Sequence, residues 1–158
     1  MLSDALAHLR AIEESSDTYL RHPHVVMVLD TNPPLEDCRA MAMWTAVHNG
    51  KLDIVTLNIN DIEKIHTDLE RYNYLSYVSL HRQDPMKFLL NTTFSPLVFI
   101  DAPDEQTGSE LFRLALSAGA QIILFGNFGM QAGAAIRQAK QLGMTVHQMF
   151  GRTHLISR

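Results

Sequence analysis

One cysteine, Cys38, is all that 158 residues contain. An intrachain disulfide is therefore impossible, and a cysteine-rich metal site is excluded. An excess of basic residues is also missing. Lys and Arg number 13 against 17 Asp and Glu, for a formal net charge of −4. Such a chain offers no electrostatic case for nucleic acid or an anionic membrane. The nearest approach to a basic patch, Arg152, His154 and Arg158, is three scattered groups. No stretch comes near the roughly 18 consecutive apolar residues of a membrane span. The opening MLSDALAHLRAIEESSD carries early acids and lacks a basic region followed by an uninterrupted apolar run, so it does not read as a secretory signal. A cytoplasmic location is expected.

Catalytic signatures are sparse as well. The eight histidines show no ligand spacing and no H-E-x-x-H pair, so no metal is expected. A G-x-S-x-G elbow is absent, which gives a serine hydrolase no support. No cofactor is implied. Repeats, low-complexity runs and linkers are missing too, and residues 1–158 are expected to form a single domain.

What the chain does have is alternation, with hydrophobic residues at 46%. Leu2, Leu6, Leu9 and Ile12 recur at helical spacing, with Ser3 available as a cap. HVVMVL, from His24 to Leu29, is a buried strand stopped by Asp30-Thr31-Asn32-Pro33-Pro34. A helix follows, with Leu35, Cys38, Met41, Ala42 and Thr45 on its inner face, and Gly50 is its expected stop. LDIVTLNI from Leu52 reads as a second strand, and Asn60 with Glu63 forms a capping-box pattern for another helix. Tyr74 to Leu80 is a candidate strand, and Asp84-Pro85 starts a short helix through Leu90. Leu97 to Ile100 is β-rich, Thr107 with Glu110 is a second capping box, and QIILF from Gln121 to Phe125 is a strand. A glycine-rich turn, Gly126 to Gly133, leads to a helix stopped at Gly143, and Met144 to Met149 is the last expected strand. The alternation predicts a three-layer, Rossmann-like α/β fold, with a mostly parallel sheet of about five or six strands and helices on both faces.

In an open parallel sheet, ligands bind beyond the carboxyl ends of the strands, near the point where strand order reverses. The strand ends gather Asp30, Asn32, Asp101, Asp104 and the segment Gly126, Asn127, Gly129, Met130. Short polar side chains at every end favour a polar small-molecule ligand. The spacing G-x-x-G-x-x-x-G in Gly126 to Gly133 is neither a dinucleotide fingerprint nor a P-loop. It admits two readings, a tight turn or an anion cradle at a helix start. Asp101 and Asp104 suit acid/base work or ribose hydroxyls, whereas Glu110 is also explained as part of a cap. Cys38 and the methionines read as core filler. A second class of function stays open, an assembly module that packs a Met-rich helical surface against a copy of itself.

From Asp104 onward, DEQTGSELFRLALSAGAQIILFG and GNFGMQAGAAIRQAKQLGMTV resemble the nucleoside 2-deoxyribosyltransferase-like superfamily and related small Rossmann-like nucleotide-processing proteins. The matching features are an acid- and Thr/Gly-rich helix start with a glutamate, a strand ending in glycine, then Gly-Met and an Ala-rich helix. The resemblance implies a nucleotide-like ligand and cleavage or transfer of an N-glycosidic bond. Asp101, Asp104 and Glu110 would then be the acid and nucleophile set, with Asp30, Asn32, Gly126, Asn127, Gly129 and Met130 at the ligand.

Overall fold

The computed structural model describes residues 2–15, 21–30, 35–126, 132–147 and 153–158. Among them a seven-stranded sheet runs in the order β3-β2-β1-β4-β5-β7-β6. Its strands are β1 (His24–Leu29), β2 (Lys51–Thr56), β3 (Val78–Arg82), β4 (Leu97–Asp101), β5 (Ile122–Phe125), β6 (Thr145–Val146) and β7 (His154–Ser157). β1 to β5 are parallel, β7 lies antiparallel to β5, and β6 lies antiparallel to β7. The helices are α1 (Leu2–Ser15), α2 (Leu35–Val47), α3 (Ile59–Arg71), α4 (Pro85–Leu90), α5 (Glu105–Ser117) and α6 (Gly133–Gln141).

Strand alternation sorts the core into two layers, because successive side chains point to opposite faces. Val25 and Met27 of β1, Leu97 and Phe99 of β4, and Ile122 and Leu124 of β5 face α1, α2 and α3. Val26, Val28, Val98, Ile100, Ile123 and Phe125 face α4, α5 and α6. Strands buried on both sides must be apolar throughout, which is why HVVMVL and QIILF read as continuous runs rather than as alternation.

The expected three-layer fold is the one observed, with more strands than expected. The surplus is β7. Its four residues HLIS place Leu155 against one layer and Ile156 against the other, and both are fully buried. An element this short carries no periodicity of its own, and its pairing with Ile122–Phe125 is a long-range fact. The strand expected from Met144 narrows to Thr145–Val146, and Met149 lies outside the described residues. Leu75–Tyr77 forms a single 3₁₀ turn, so β3 starts only at Val78.

Helix starts differ from expectation in a consistent way. Asn58, not Asn60, caps α3, with its side chain accepting from the Asn60 N–H. Asp104, not Thr107, caps α5, with Oδ1 accepting from the Thr107 N–H at 2.7 Å. In each case an Asx residue immediately before the first helical residue takes the cap. α4 begins as expected, with Asp84 capping and Pro85 in the first turn. α1 already begins at Leu2, so Ser3 lies inside its first turn. Asn49, with φ of 54°, takes the left-handed position expected of Gly50.

Of the three scattered basic groups near the end of the sequence, Arg158 has a packing role. Arg158 donates from Nε to the Ala120 carbonyl at 2.8 Å and from an Nη to the Leu116 carbonyl at 3.3 Å, covering the end of α5.

Candidate functional site at the β1/β4 switch

Strand order reverses between β1 and β4, because β2 and β3 are added on one side and β5 on the other. The parallel ladder continues past the ends of β1 and β5. The Asp30 N–H donates to the Asp101 carbonyl at 2.9 Å, and the Gly126 N–H donates to the Ile100 carbonyl at 2.9 Å. Asp30, Asp101 and Gly126 therefore stand on one rim, at the crevice where open α/β sheets take their ligands.

Two carboxylates, Asp101 and Asp37, act on each other on the α2 side of this rim, and a third, Asp30, keeps company with Asp84 and Asp104. Asp101 shares the parity of Phe99 in β4, which directs its side chain toward α2, and it is 1% exposed. Asp37, in the first turn of α2, answers it from the helix layer. Burial, then the charges of Glu36 and Asp101, push the Asp37 carboxyl up to about 6. On the solvent side, Asp30 is also shifted upward, first because its carboxyl is partly withdrawn from water although the residue is exposed overall, then because of Asp84 and Asp104. The Asp104 carboxyl is held down by the Thr107 backbone N–H and is committed to capping α5.

Asp37 also lines a shallow cavity of about 310 Å³ with Glu36, Arg39, Met43, Tyr72 and Tyr74. The cation in that cavity is already engaged. Arg39 pairs with Asp68 at 3.0 Å and lies 4.7 Å from the centre of the Tyr72 ring. Arg82, at the end of β3, is two strands from the switch and donates to the Leu57 carbonyl.

The residues singled out by sequence separate into groups. Asp30, Asp101 and Gly126 share the rim. Glu110 does not: it lines a groove between α5 and α6 with Ser109, Arg113 and Arg137, on the sheet face opposite the one Asp101 points to. A set combining Glu110 with Asp101 therefore has no common centre. Asn32, Asn127, Gly129 and Met130 lie outside the described residues.

Both described glycines of the turn have packing reasons. A Cβ on Gly126 would strike the tip of the Phe99 ring. A Cβ on Gly133 would come within 2.7 Å of Glu105 Oε1, the atom that accepts from Arg137 at 2.8 Å. Gly133 thus makes room between α5 and α6, rather than against the sheet.

Asp37 is the residue that sequence reasoning missed. An acid in the first turn of a helix reads as ordinary compensation of the helix dipole. The available signal was position, since the helix after β1 begins at the same rim as the strand-end acids. Cys38, beside it, is buried and its thiol is pushed up to about 12, chiefly by burial, which leaves it inert as expected. Among the described residues no group of His, Cys, Asp and Glu could hold a metal ion, and no helix is long and apolar enough to cross a membrane.

No family model and no curated protein matches the chain. Solved structures do. The chain is similar to a SAM-dependent O-methyltransferase from Thermotoga maritima, with a TM-score of 0.71 at 8% identity over 98% of this chain and 64% of that one. It is similar to a methyltransferase from Geobacter sulfurreducens, with a TM-score of 0.69 at 14% identity over 99% and 77%. A precorrin 8w decarboxylase from Methanobacterium thermoautotrophicum gives a TM-score of 0.65 at 12% identity over 87% and 82%. These likenesses overturn the resemblance to the nucleoside 2-deoxyribosyltransferase-like superfamily. Glycine-ended strands before Ala-rich helices recur throughout α/β proteins, and the whole-chain topology points elsewhere. The chain has the three-layer Rossmann-like fold of methyltransferase structures.

Proposed function

We propose that the chain binds a nucleoside-derived small molecule carrying positive charge at the carboxyl ends of β1 and β4. The observation that carries this reading is the backbone hydrogen bond from the Asp30 N–H to the Asp101 carbonyl across the switch, which sets Asp30 and Asp101 on one rim, with Asp37 close enough to Asp101 for the two charges to act on each other. Carboxylates accept hydrogen bonds from ribose hydroxyls and attract cations, and they repel phosphates. A phosphate cradle at Gly126 is thereby disfavoured, since its glycine accommodates Phe99.

The similar structures suggest S-adenosylmethionine as the ligand, and its charge suits this rim. It is a nucleoside whose sulfonium and ammonium outweigh its one carboxylate, leaving a net positive charge, and it has no phosphate. In this reading Asp30 accepts from hydroxyls at the open edge, while Asp101 and Asp37 meet positive charge on the α2 side of the rim. When bound, such a molecule supplies an electrophilic methyl group. The chain departs from the dinucleotide pattern in two respects, both legible in the sequence. The sequence after β1, Asp30-Thr31-Asn32-Pro33-Pro34, has no glycine, and the last residue of β2 with the two that follow, Thr56-Leu57-Asn58, includes no acid. A rim carboxylate, which only accepts, can stand in for the β2 acid at ribose hydroxyls but not for the donating glycine amides, which suits a ligand without phosphate.

Isothermal titration with S-adenosylmethionine, S-adenosylhomocysteine and ATP tests the reading. The sulfonium compound is expected to bind more tightly than its neutral thioether counterpart, and ATP not at all. Binding of ATP, or no heat with either adenosyl compound at millimolar concentration, would remove the proposal.

One observation favours a second reading, an assembly module. Met43 and Val47, one turn apart on α2, are 52% and 73% exposed, so this helix is apolar on its outer side as well as its inner one. If a second copy covers them, light scattering shows a dimer that Val47→Glu converts to monomer. A wild-type monomer at high concentration rejects this reading.

A further inference from the structure

On the face of the sheet opposite Asp37, beneath α4, three side chains from neighbouring strands form a chain of hydrogen bonds. His24 Nε2 donates to Asp53 Oδ2 at 2.5 Å, and His81 Nε2 donates to Asp53 Oδ1 at 2.7 Å. His24 opens β1, Asp53 lies in β2 and His81 in β3. The other ring nitrogen of His24, Nδ1, lies 3.0 Å from the carbonyl oxygen of Phe94, in the connection between α4 and β4.

Those contacts define the protonation state of His24. A carbonyl oxygen and a carboxylate both accept and never donate, so each ring nitrogen of His24 must carry a hydrogen. A ring protonated at both nitrogens is an imidazolium. The same connection is held at a second point, where the Ser95 hydroxyl donates to the His24 carbonyl at 2.8 Å. His81 rests against Phe88 of α4, with ring centroids 4.9 Å apart, so α4 seats on the same cluster.

We propose that His24, Asp53 and His81 form a proton-operated latch, which fastens the α4–β4 connection to the start of β1 when His24 is protonated and releases it when the proton leaves. Loss of the Nδ1 proton would set a ring lone pair against the Phe94 carbonyl, replacing a charge-assisted bond by repulsion. The groups acting on His24 are Asp53, which favours the charged ring by hydrogen bond and by charge, and Lys51 on the same strand, which opposes it. His81 shares the Asp53 carboxylate from β3, and Lys87 of α4 is exposed. The Asp53 hydrogen bond outweighs burial and lifts His24 above its ordinary value of 6.5. A histidine raised in the folded state contributes stability that is complete below the unfolded value. That stability is lost as pH rises through the folded value, so the latch opens on the alkaline side.

The test is amide hydrogen exchange across neutral pH, read together with the His24 ring titration by NMR. Above the His24 titration, the Ser95 amide, which donates to the Ala118 carbonyl, is expected to lose about tenfold in protection beyond the intrinsic rise of exchange. The Gly126 amide on the β5 side should follow the intrinsic rise alone. In His24→Gln the Ser95 step should vanish; if that variant does not fold, Asp53→Asn takes its place. A His24 ring titrating at or below 6.5, or a Ser95 step that survives in the variant, overturns the latch.

Discussion

Truncating Phe99 to alanine is expected to cost about 3–5 kcal/mol in urea unfolding, the range for removing a fully buried aromatic ring. Phe99 is among the largest side chains with no solvent exposure, and it stands in β4 directly below Asp101 on the α2 face. Its ring tip occupies the space that a Cβ at Gly126 would take. The two positions are thus one packing unit across β4 and β5, which predicts a specific interaction. Gly126→Ala alone should cost about 1–3 kcal/mol, because a methyl group is driven into a filled core. In the Phe99→Ala background the same methyl enters the vacated space, so the double variant should be less destabilised than the sum by about 1 kcal/mol or more. Strict additivity would mean that Gly126 serves something other than Phe99, and the anion-cradle reading of the turn would regain its ground.

That contact illustrates which features the sequence discloses. The strands are legible because burial on both faces leaves apolar runs such as HVVMVL, and the stops are legible because Asp30 to Pro34 and Asp101 to Asp104 punctuate them. The rim follows from the fold: once β1, β4 and β5 are parallel, Asp30, Asp101 and Gly126 must share an end. Side-chain direction is what stays hidden. Asp101 and Glu110 are nine positions apart in sequence, yet the parity of β4 sends one toward α2 while α5 carries the other to the opposite face. Gly126 and Phe99 are neighbours only through strand pairing, so the packing reason for this glycine is invisible in the sequence. His24, Asp53 and His81 likewise meet only because the β1–β2 and β2–β3 registers bring them together.

Asp37→Asn is expected to make the protein more stable at neutral pH and worse at binding. In the unfolded chain the Asp37 carboxyl titrates near 3.8, and in the folded protein near 6. Between those values the native state holds the extra proton, so the unfolding free energy falls as pH rises through the window and then levels off. The full shift would correspond to about 3 kcal/mol. Because the carboxyl still meets solvent at the cavity, screening reduces this, and a gain of about 1–2 kcal/mol in Asp37→Asn at pH 7.5 is the working figure. Below about pH 4 wild type and variant should converge, since the wild-type carboxyl is then protonated and as neutral as the amide. A charge held against burial and against Asp101 is destabilising to the empty fold, and a cation in the crevice relieves it. Removing the charge should therefore weaken a sulfonium ligand by about tenfold while leaving a neutral thioether analogue nearly unchanged. Urea midpoints at two pH values and paired titrations with the two ligands read both halves. If stability rises and selectivity for the sulfonium persists, Asp37 is buried strain with no part in recognition, and the positive charge of the ligand must be met by Asp30 and Asp101 alone.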